Sequence, residues 1–179
     1  MTVREKALFL DRDGVINIDY GYVHDPTRFV FIDGIFSLVR LANEAGYRII
    51  IVTNQAGIGR GYYSEEQFNS LMDWMQCEFL NRGGKIDAVY YCPYHPEYGI
   101  GRYLRESSFR KPNPGMILAA RDDFNLDLQQ SILVGDKYTD IAAGMAAGVG
   151  VNILFDANLA QDIGSSSTVS CLNEIARFL

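Results

Sequence analysis

Apolar residues along the chain gather into five short runs, Ala7–Leu10, Arg48–Val52, Ile86–Tyr91, Ser131–Val134 and Val151–Phe155. Each is rich in Val, Ile, Leu, Phe or Tyr and too short for a helix, which predicts buried strands. The intervening segments carry helical spacing. Ile35, Leu38, Val39 and Ala42 form one i, i+3, i+4, i+7 stripe, with Asp33 as the expected cap and Gly46 as the stop. Ser64-Glu65-Glu66-Gln67 reads as a capping box ahead of the stripe Phe68, Leu71, Met72, Met75 and Phe79, which Gly83-Gly84 ends. Asn113-Pro114 reads as a cap followed by a first-turn proline, opening a helix that carries Ile117, Ala120 and Phe124. A fourth helix is expected over Tyr138 to Ala147, stopped by Gly148. Gln161–Ser167 reads as a polar loop, and Leu172–Leu179 as a short closing helix.

Strands alternating with helices predict an α/β fold, a doubly wound Rossmann-like parallel sheet with helices on both faces. At 179 residues, with no internal repeat and no linker-like shift in composition, the chain reads as one domain over 1–179. Hydrophobic residues at 48% and charged residues at 21% exclude a disordered tail or a charged coiled coil. No apolar stretch approaches membrane-spanning length, so no membrane partner is expected. A net charge of −6 argues against nucleic acid. Three cysteines and no apolar leader point to the cytoplasm, and a monomer is the default.

Ligands of doubly wound sheets lie beyond the carboxyl ends of the strands. The first strand is followed there by Asp11-Arg12-Asp13-Gly14, the second by Thr53-Asn54-Gln55, and the fourth by Gly135-Asp136-Lys137; Arg110 and Lys111 precede the third helix. A lone Asp after a strand is most often a turn or cap residue. Several caps, however, have no reason to bring three carboxylates, a hydroxyl and a lysine to one rim. Carboxylates this close need a cation among them, and oxygen-only ligands suit Mg²⁺. One carboxylate could then attack phosphorus while another moves the proton, with Thr53 and Lys111 facing the phosphoryl oxygens.

The segments Phe9–Gly14, Val52-Thr53-Asn54, Arg110-Lys111-Pro112 and Val134–Lys137 resemble the four motifs of the haloacid dehalogenase superfamily. Asp19–His24, Thr53–Ile58, Tyr90–Pro93 and Arg110–Met116 extend the resemblance to the heptose-1,7-bisphosphate 7-phosphatases, and histidinol-phosphate phosphatases share much of that pattern. The resemblance implies Asp11 as nucleophile, Asp13 as general acid/base, and Mg²⁺ held by Asp11, the Asp13 carbonyl and Asp136. It implies phosphoryl contacts from Thr53 and Lys111. Contacts to a phosphorylated sugar would come from Asp19, Tyr20, Gly21, Tyr22, Thr53, Asn54, Gln55, Ala56, Arg110, Lys111 and Lys137. The reaction implied is hydrolysis of a sugar 7-phosphate in nucleotide-heptose synthesis for surface polysaccharide, by an enzyme without a large cap domain.

The pattern breaks in one place. The zinc loop of the heptose phosphatases uses a Cys-x-His pair and then a Cys-x-Cys pair. Here Cys92 stands alone, with Tyr94, Ser107 and Phe109 at the other positions, so zinc is not expected. Packing of Tyr94, Tyr98, Tyr103 and Phe109 is expected to hold the loop instead. His24 could reach a substrate but as a lone histidine reads more readily as structural or surface. Asp140 reads as a brace for the metal site or Lys137, or equally as a surface carboxylate. The rival from another class is a phospho-receiver module, which would need an acceptor Asp after the third strand, where Tyr91-Cys92-Pro93 stands.

Overall fold

The computed structural model describes residues 4–156 and 167–179. Among them β1 (Lys6–Leu10), β2 (Tyr47–Asn54), β3 (Ala88–Cys92), β4 (Ile132–Gly135), β5 (Val151–Phe155) and β6 (Ser167–Val169) form one sheet, in the order β3-β2-β1-β4-β5-β6. Every pairing is parallel. The helices are α1 (Ile35–Glu44), the single turn α2 (Ala56–Gly59), α3 (Glu65–Asn81), α4 (Gly115–Phe124) and α5 (Tyr138–Ala147), with a closing 3₁₀ helix at Leu172–Phe178.

Period-two alternation assigns each strand residue to a face. Leu8, Leu10, Ile49, Ile51, Val134 and Ile153 pack with α1, α3 and the 3₁₀ helix. Ala7, Phe9, Ile50, Val52, Leu133 and Leu154 pack on the opposite side with α4 and α5. All are buried, and each of them except Ala7 is worth roughly 1.5–3 kcal/mol in transfer free energy. The doubly wound sheet read from the sequence is the one observed.

Several boundaries differ for identifiable reasons. Asp87 hooks the edge of β2 before β3 begins, its carboxylate accepting the Ile49 N–H at 2.9 Å, so β3 starts at Ala88 rather than Ile86. Ser131 meets Ala7 N–H through its hydroxyl at 3.0 Å, and β4 starts one residue later. The α1 cap is Gly34 and not Asp33; its φ of +85° and an Asn173 oxygen 2.9 Å from where a Cβ would stand both require glycine. In α4, Pro114 is itself the N-cap, because the Asn113 amide is spent on Ser107 O at 2.9 Å. The Ser64–Gln67 capping box of α3 is present, and Gly148 ends α5 at φ +84°. β6 and α2 are additions to the sequence reading. Ser167 opens β6 rather than ending a loop, and the rest of that expected loop, 161–166, lies outside the described residues.

Candidate active site

Strand order brings the acidic motifs together. β1 and β4 are neighbours, so Asp11 and Asp136 leave the sheet side by side, and the Asp11 N–H still bonds Val134 O at 3.0 Å. Gly14, at φ +95°, crosses directly over Asp136; a Cβ there would lie 2.2 Å from its Oδ2. Lys111 reaches the same point from the loop ahead of α4. Its Nζ lies 2.9 Å from Asp11 Oδ1 and 2.6 Å from Asp140 Oδ1, and it donates to Val52 O at 2.8 Å. Asn54 fixes the Lys111 backbone, accepting its N–H at 3.0 Å and donating to its carbonyl at 3.1 Å.

Asp140 is the brace of the two readings, not a surface carboxylate. It is 2% exposed, and its second oxygen accepts the Lys137 N–H at 3.0 Å, closing the first turn of α5. Both of its oxygens are therefore occupied by protein donors.

Asp13 points into a different network. Arg12, fully buried, donates one nitrogen to both Asp13 oxygens (2.7 and 2.8 Å) and to Val23 O. Asn17 donates to Oδ1 at 3.0 Å and Gln55 to Oδ2 at 3.1 Å. The same Gln55 amide nitrogen donates to Thr53 Oγ1 at 2.9 Å, while Tyr63 OH donates to the Gln55 carbonyl at 2.5 Å. Tyr63 thus fixes which way the Gln55 amide faces, and His24 stacks on its ring at 4.8 Å. Because Thr53 Oγ1 accepts from Gln55, its own O–H is left to donate into the cleft. The sequence reading missed Arg12 and Tyr63, since neither carries a recognisable spacing.

Burial pushes the Asp11 carboxyl upward, and the Lys111 ammonium pulls against it. Asp136 is pushed up to about 7, by burial first and by the Asp11 charge second. Burial works against the charge of Lys111, but Asp11 and Asp140 outweigh it and hold the amine above its usual range. The same balance, with Asp136, Asp11 and Asp19 as the carboxylates, raises Lys137, which pairs with Asp19 at 3.1 Å.

Oxygens of Asp11, Asp136 and Asp140 lie within 4.8 Å of one another. Asp136 Oδ1 is buried and has no protein partner, a cost that a bound cation removes. An all-oxygen set with an orphaned carboxylate oxygen fits Mg²⁺. The carboxylate of Asp13 is not part of this trio, being held by Arg12, Asn17 and Gln55.

A cleft of about 450 Å³ opens over this centre. Of the residues expected from sequence, Asp11, Asp13, Asp19, Gly21, Tyr22, Thr53, Asn54, Gln55, Ala56, Arg110, Lys111 and Lys137 line it. Asp136 sits beneath Gly14 rather than on the wall, and Tyr20 is half exposed outside it. Gly57, Tyr63, Thr139 and Asp140 complete the lining. On the loop after β3, buried Cys92 directs its thiol at Tyr94 O, and His95 Nδ1 accepts the N–H groups of Glu97 and Tyr98 at 3.1 and 3.2 Å. The expected aromatic packing is present for Tyr94, Tyr103 and Phe109, while Tyr98 is 55% exposed. Tyr94 lies 6.0 Å from Tyr103, Arg105 covers Tyr94 at 3.9 Å, and Phe109 packs on the core.

The HAD-hydrolase-like family profile matches residues 108–154, the span holding Lys111, Asp136 and Asp140. The chain is 63% identical over 152 residues to the D-glycero-alpha-D-manno-heptose-1,7-bisphosphate 7-phosphatase of Burkholderia mallei, covering 85% of this chain and 80% of that protein. It is 53% identical over 148 residues to the D-glycero-beta-D-manno-heptose-1,7-bisphosphate 7-phosphatase of Vibrio cholerae, covering 83% and 80%. Among solved structures, the D,D-heptose 1,7-bisphosphate phosphatase from B. bronchiseptica, complexed with magnesium and phosphate, superposes with a TM-score of 0.82. The identity is 28%, over 96% of each chain.

Proposed function

The chain belongs to the heptose-1,7-bisphosphate 7-phosphatase family of HAD-like hydrolases, and from this we propose that it removes the 7-phosphate of D-glycero-D-manno-heptose 1,7-bisphosphate. The observation that carries the reading is Lys111 bridging Asp11 and Asp140 at the floor of a cleft that Asp13, Asp19, Arg110 and Lys137 also line. Asp11 Oδ1 is taken by Lys111 and by the Arg12 N–H at 2.8 Å, which leaves Oδ2 to attack phosphorus and form an aspartyl-phosphate. Asp13 protonates the departing sugar oxygen, then takes a proton from the water that hydrolyses the aspartyl-phosphate, returning Asp11 and releasing inorganic phosphate. Thr53 O–H and Lys111 hold the phosphoryl oxygens through both halves of the reaction. Asp11, Asp136 and the Asp13 carbonyl would hold Mg²⁺, which would supply positive charge to offset the negative charge on the transferring group.

Asp19, Gly21, Tyr22, Asn54, Gln55, Ala56, Arg110 and Lys137 face the sugar and its second phosphate. Short connections leave the cleft without a large cap, so selectivity falls to these loop residues. No helix among the described residues is long and apolar enough to cross a membrane. We take the protein to act as a single-domain cytoplasmic monomer.

The testing assay measures phosphate release, with Mg²⁺, from both anomers of heptose 1,7-bisphosphate beside histidinol phosphate and fructose 1,6-bisphosphate. We expect kcat/KM for one heptose anomer about 100-fold above the non-heptose substrates. Equal, weak turnover of all four would reject the heptose assignment.

Mg²⁺ binding should depend on pH. A carboxylate whose folded pKa is raised to about 7 is mostly protonated at pH 6 and mostly ionised at pH 8. The metal needs the ionised form, so its affinity falls as pH drops through 7. Titration calorimetry of the metal-free protein should give a dissociation constant at least about tenfold weaker at pH 6 than at pH 8. Equal affinities at the two values would remove Asp136 from the ligand set.

A further inference from the structure

Arg60 is the residue on this rim whose charge the catalytic centre does not use. It follows α2 directly, so the second strand delivers it to the same edge as Thr53. Its guanidinium carbon lies 4.4 Å from the centroid of Tyr98 and 5.8 Å from that of Tyr22, a ring that lines the cleft. Its Nε is buried with no hydrogen-bond partner. Arg110, on the cleft wall, has one bond, from Nη1 to Tyr94 O at 3.3 Å. Among the described residues neither arginine is ion-paired with a carboxylate.

Arg110 bonds Tyr94 O, and the turn before Arg60 packs its Gly59 against the adjoining Pro93 carbonyl, so the loop after β3 brings both arginines to one part of the rim. Burial lowers the Arg110 pKa first, and the Arg60 charge lowers it as well, against Cys92 and Glu106, which raise it. The backbone keeps them together, since Ile100 N–H bonds Gly59 O at 2.8 Å and a Cβ on Gly59 would strike Pro93 O. The cation–π contact with Tyr98 holds the Arg60 guanidinium in place, which reduces the ordering cost of binding a ligand. A phosphate dianion takes guanidinium forks bidentately.

We propose that Arg60, together with Arg110, binds the phosphate that the enzyme does not cleave, making Arg60 a specificity-determining residue for bisphosphates over monophosphates. The inference rests on the sugar-bisphosphate reading of the cleft. The cleaved phosphate lies with Asp11, Thr53 and Lys111, while Arg60 and Arg110 hold the retained one at the mouth.

The test compares wild type, Arg60→Lys and Arg60→Met on heptose 1,7-bisphosphate, fructose 1,6-bisphosphate and p-nitrophenyl phosphate, with thermal melts alongside. For Arg60→Met we expect the ratio of kcat/KM for bisphosphate to that for p-nitrophenyl phosphate to fall about 10–100-fold, chiefly through KM. Arg60→Lys should recover part of the loss. A ratio unchanged in Arg60→Met, including the case where both activities drop together, would assign Arg60 a purely structural role and overturn the proposal. Wild type preferring fructose 1,6-bisphosphate would sink the heptose reading alone, and the ratio on that sugar would still decide Arg60. Wild type with no preference for any bisphosphate would overturn both.

Discussion

Asp11→Asn is expected to lower turnover by about 10⁴-fold or more while leaving the melting temperature of the metal-free protein within a few degrees of wild type. The loss follows from chemistry: an amide cannot form the acyl-phosphate, and no other carboxylate stands in its place. Asp13 is tied to Arg12, Asn17 and Gln55, and Asp140 has both oxygens engaged by Lys111 and the Lys137 N–H. The retained stability follows from electrostatics. Asp11 is 6% exposed and its carboxyl is pushed upward by burial, so the fold does not favour its charge. The amide has the same shape and can still accept the Arg12 N–H, and Lys111 keeps Asp140 and Val52 O. Phosphate-release kinetics and a thermal melt check both halves. Residual activity above about 1% would mean that water, not Asp11, attacks phosphorus.

The contrast between what sequence revealed and what it did not runs along one physical line. β1, β2 and β5 were legible because a buried parallel strand is a run of apolar residues, and their two faces follow from alternation alone. β6 was not legible, since Ser167-Thr168-Val169 has only one buried residue and owes its state to pairing with Ile153–Phe155. The α1 and α4 caps were misplaced because remote segments decide them: Asn173 at Gly34, and Ser107 at Asn113. At the site, residues that do chemistry stand at strand ends in readable motifs. Residues that aim them do not. Arg12 lies between two catalytic-looking aspartates, yet its buried fork on Asp13 is a property of the fold. Tyr63 reaches Gln55 across eight residues of chain, and only the turn at α2 makes that contact possible. Tyr20 shows the reverse, a motif residue that is half exposed and not among those lining the cleft.

Lys111→Met is expected to destabilise the protein by about 3–5 kcal/mol at pH 8, on the order of 10 °C in Tm, and to lower turnover about 10³-fold. The side chain is 3% exposed and lies against two carboxylates that are themselves nearly inaccessible to water. Methionine fills a similar volume but leaves Asp11, Asp136 and Asp140 crowded within 4.8 Å without the ammonium. The deficit should shrink as pH falls. Lys111 has a folded pKa raised above its usual value, so its contribution is fully present throughout pH 5 to 8 and does not itself vary there. In the variant, Asp11 loses its cation, and its carboxyl, already pushed up by burial, climbs further. A carboxylate with a raised folded pKa costs stability above that pKa and none once protonated, so acid relieves the strain. Saturating Mg²⁺ should relieve it as well, because the ion binds the folded carboxylates and not the unfolded chain. Melts of wild type and Lys111→Met at pH 5, 7 and 8, with and without Mg²⁺, separate these effects. A variant that melts within about 2 °C of wild type at pH 8 without metal would show that the buried ammonium is dispensable to the fold. The carboxylates would then have to share protons among themselves, and Lys111 would act on the substrate alone.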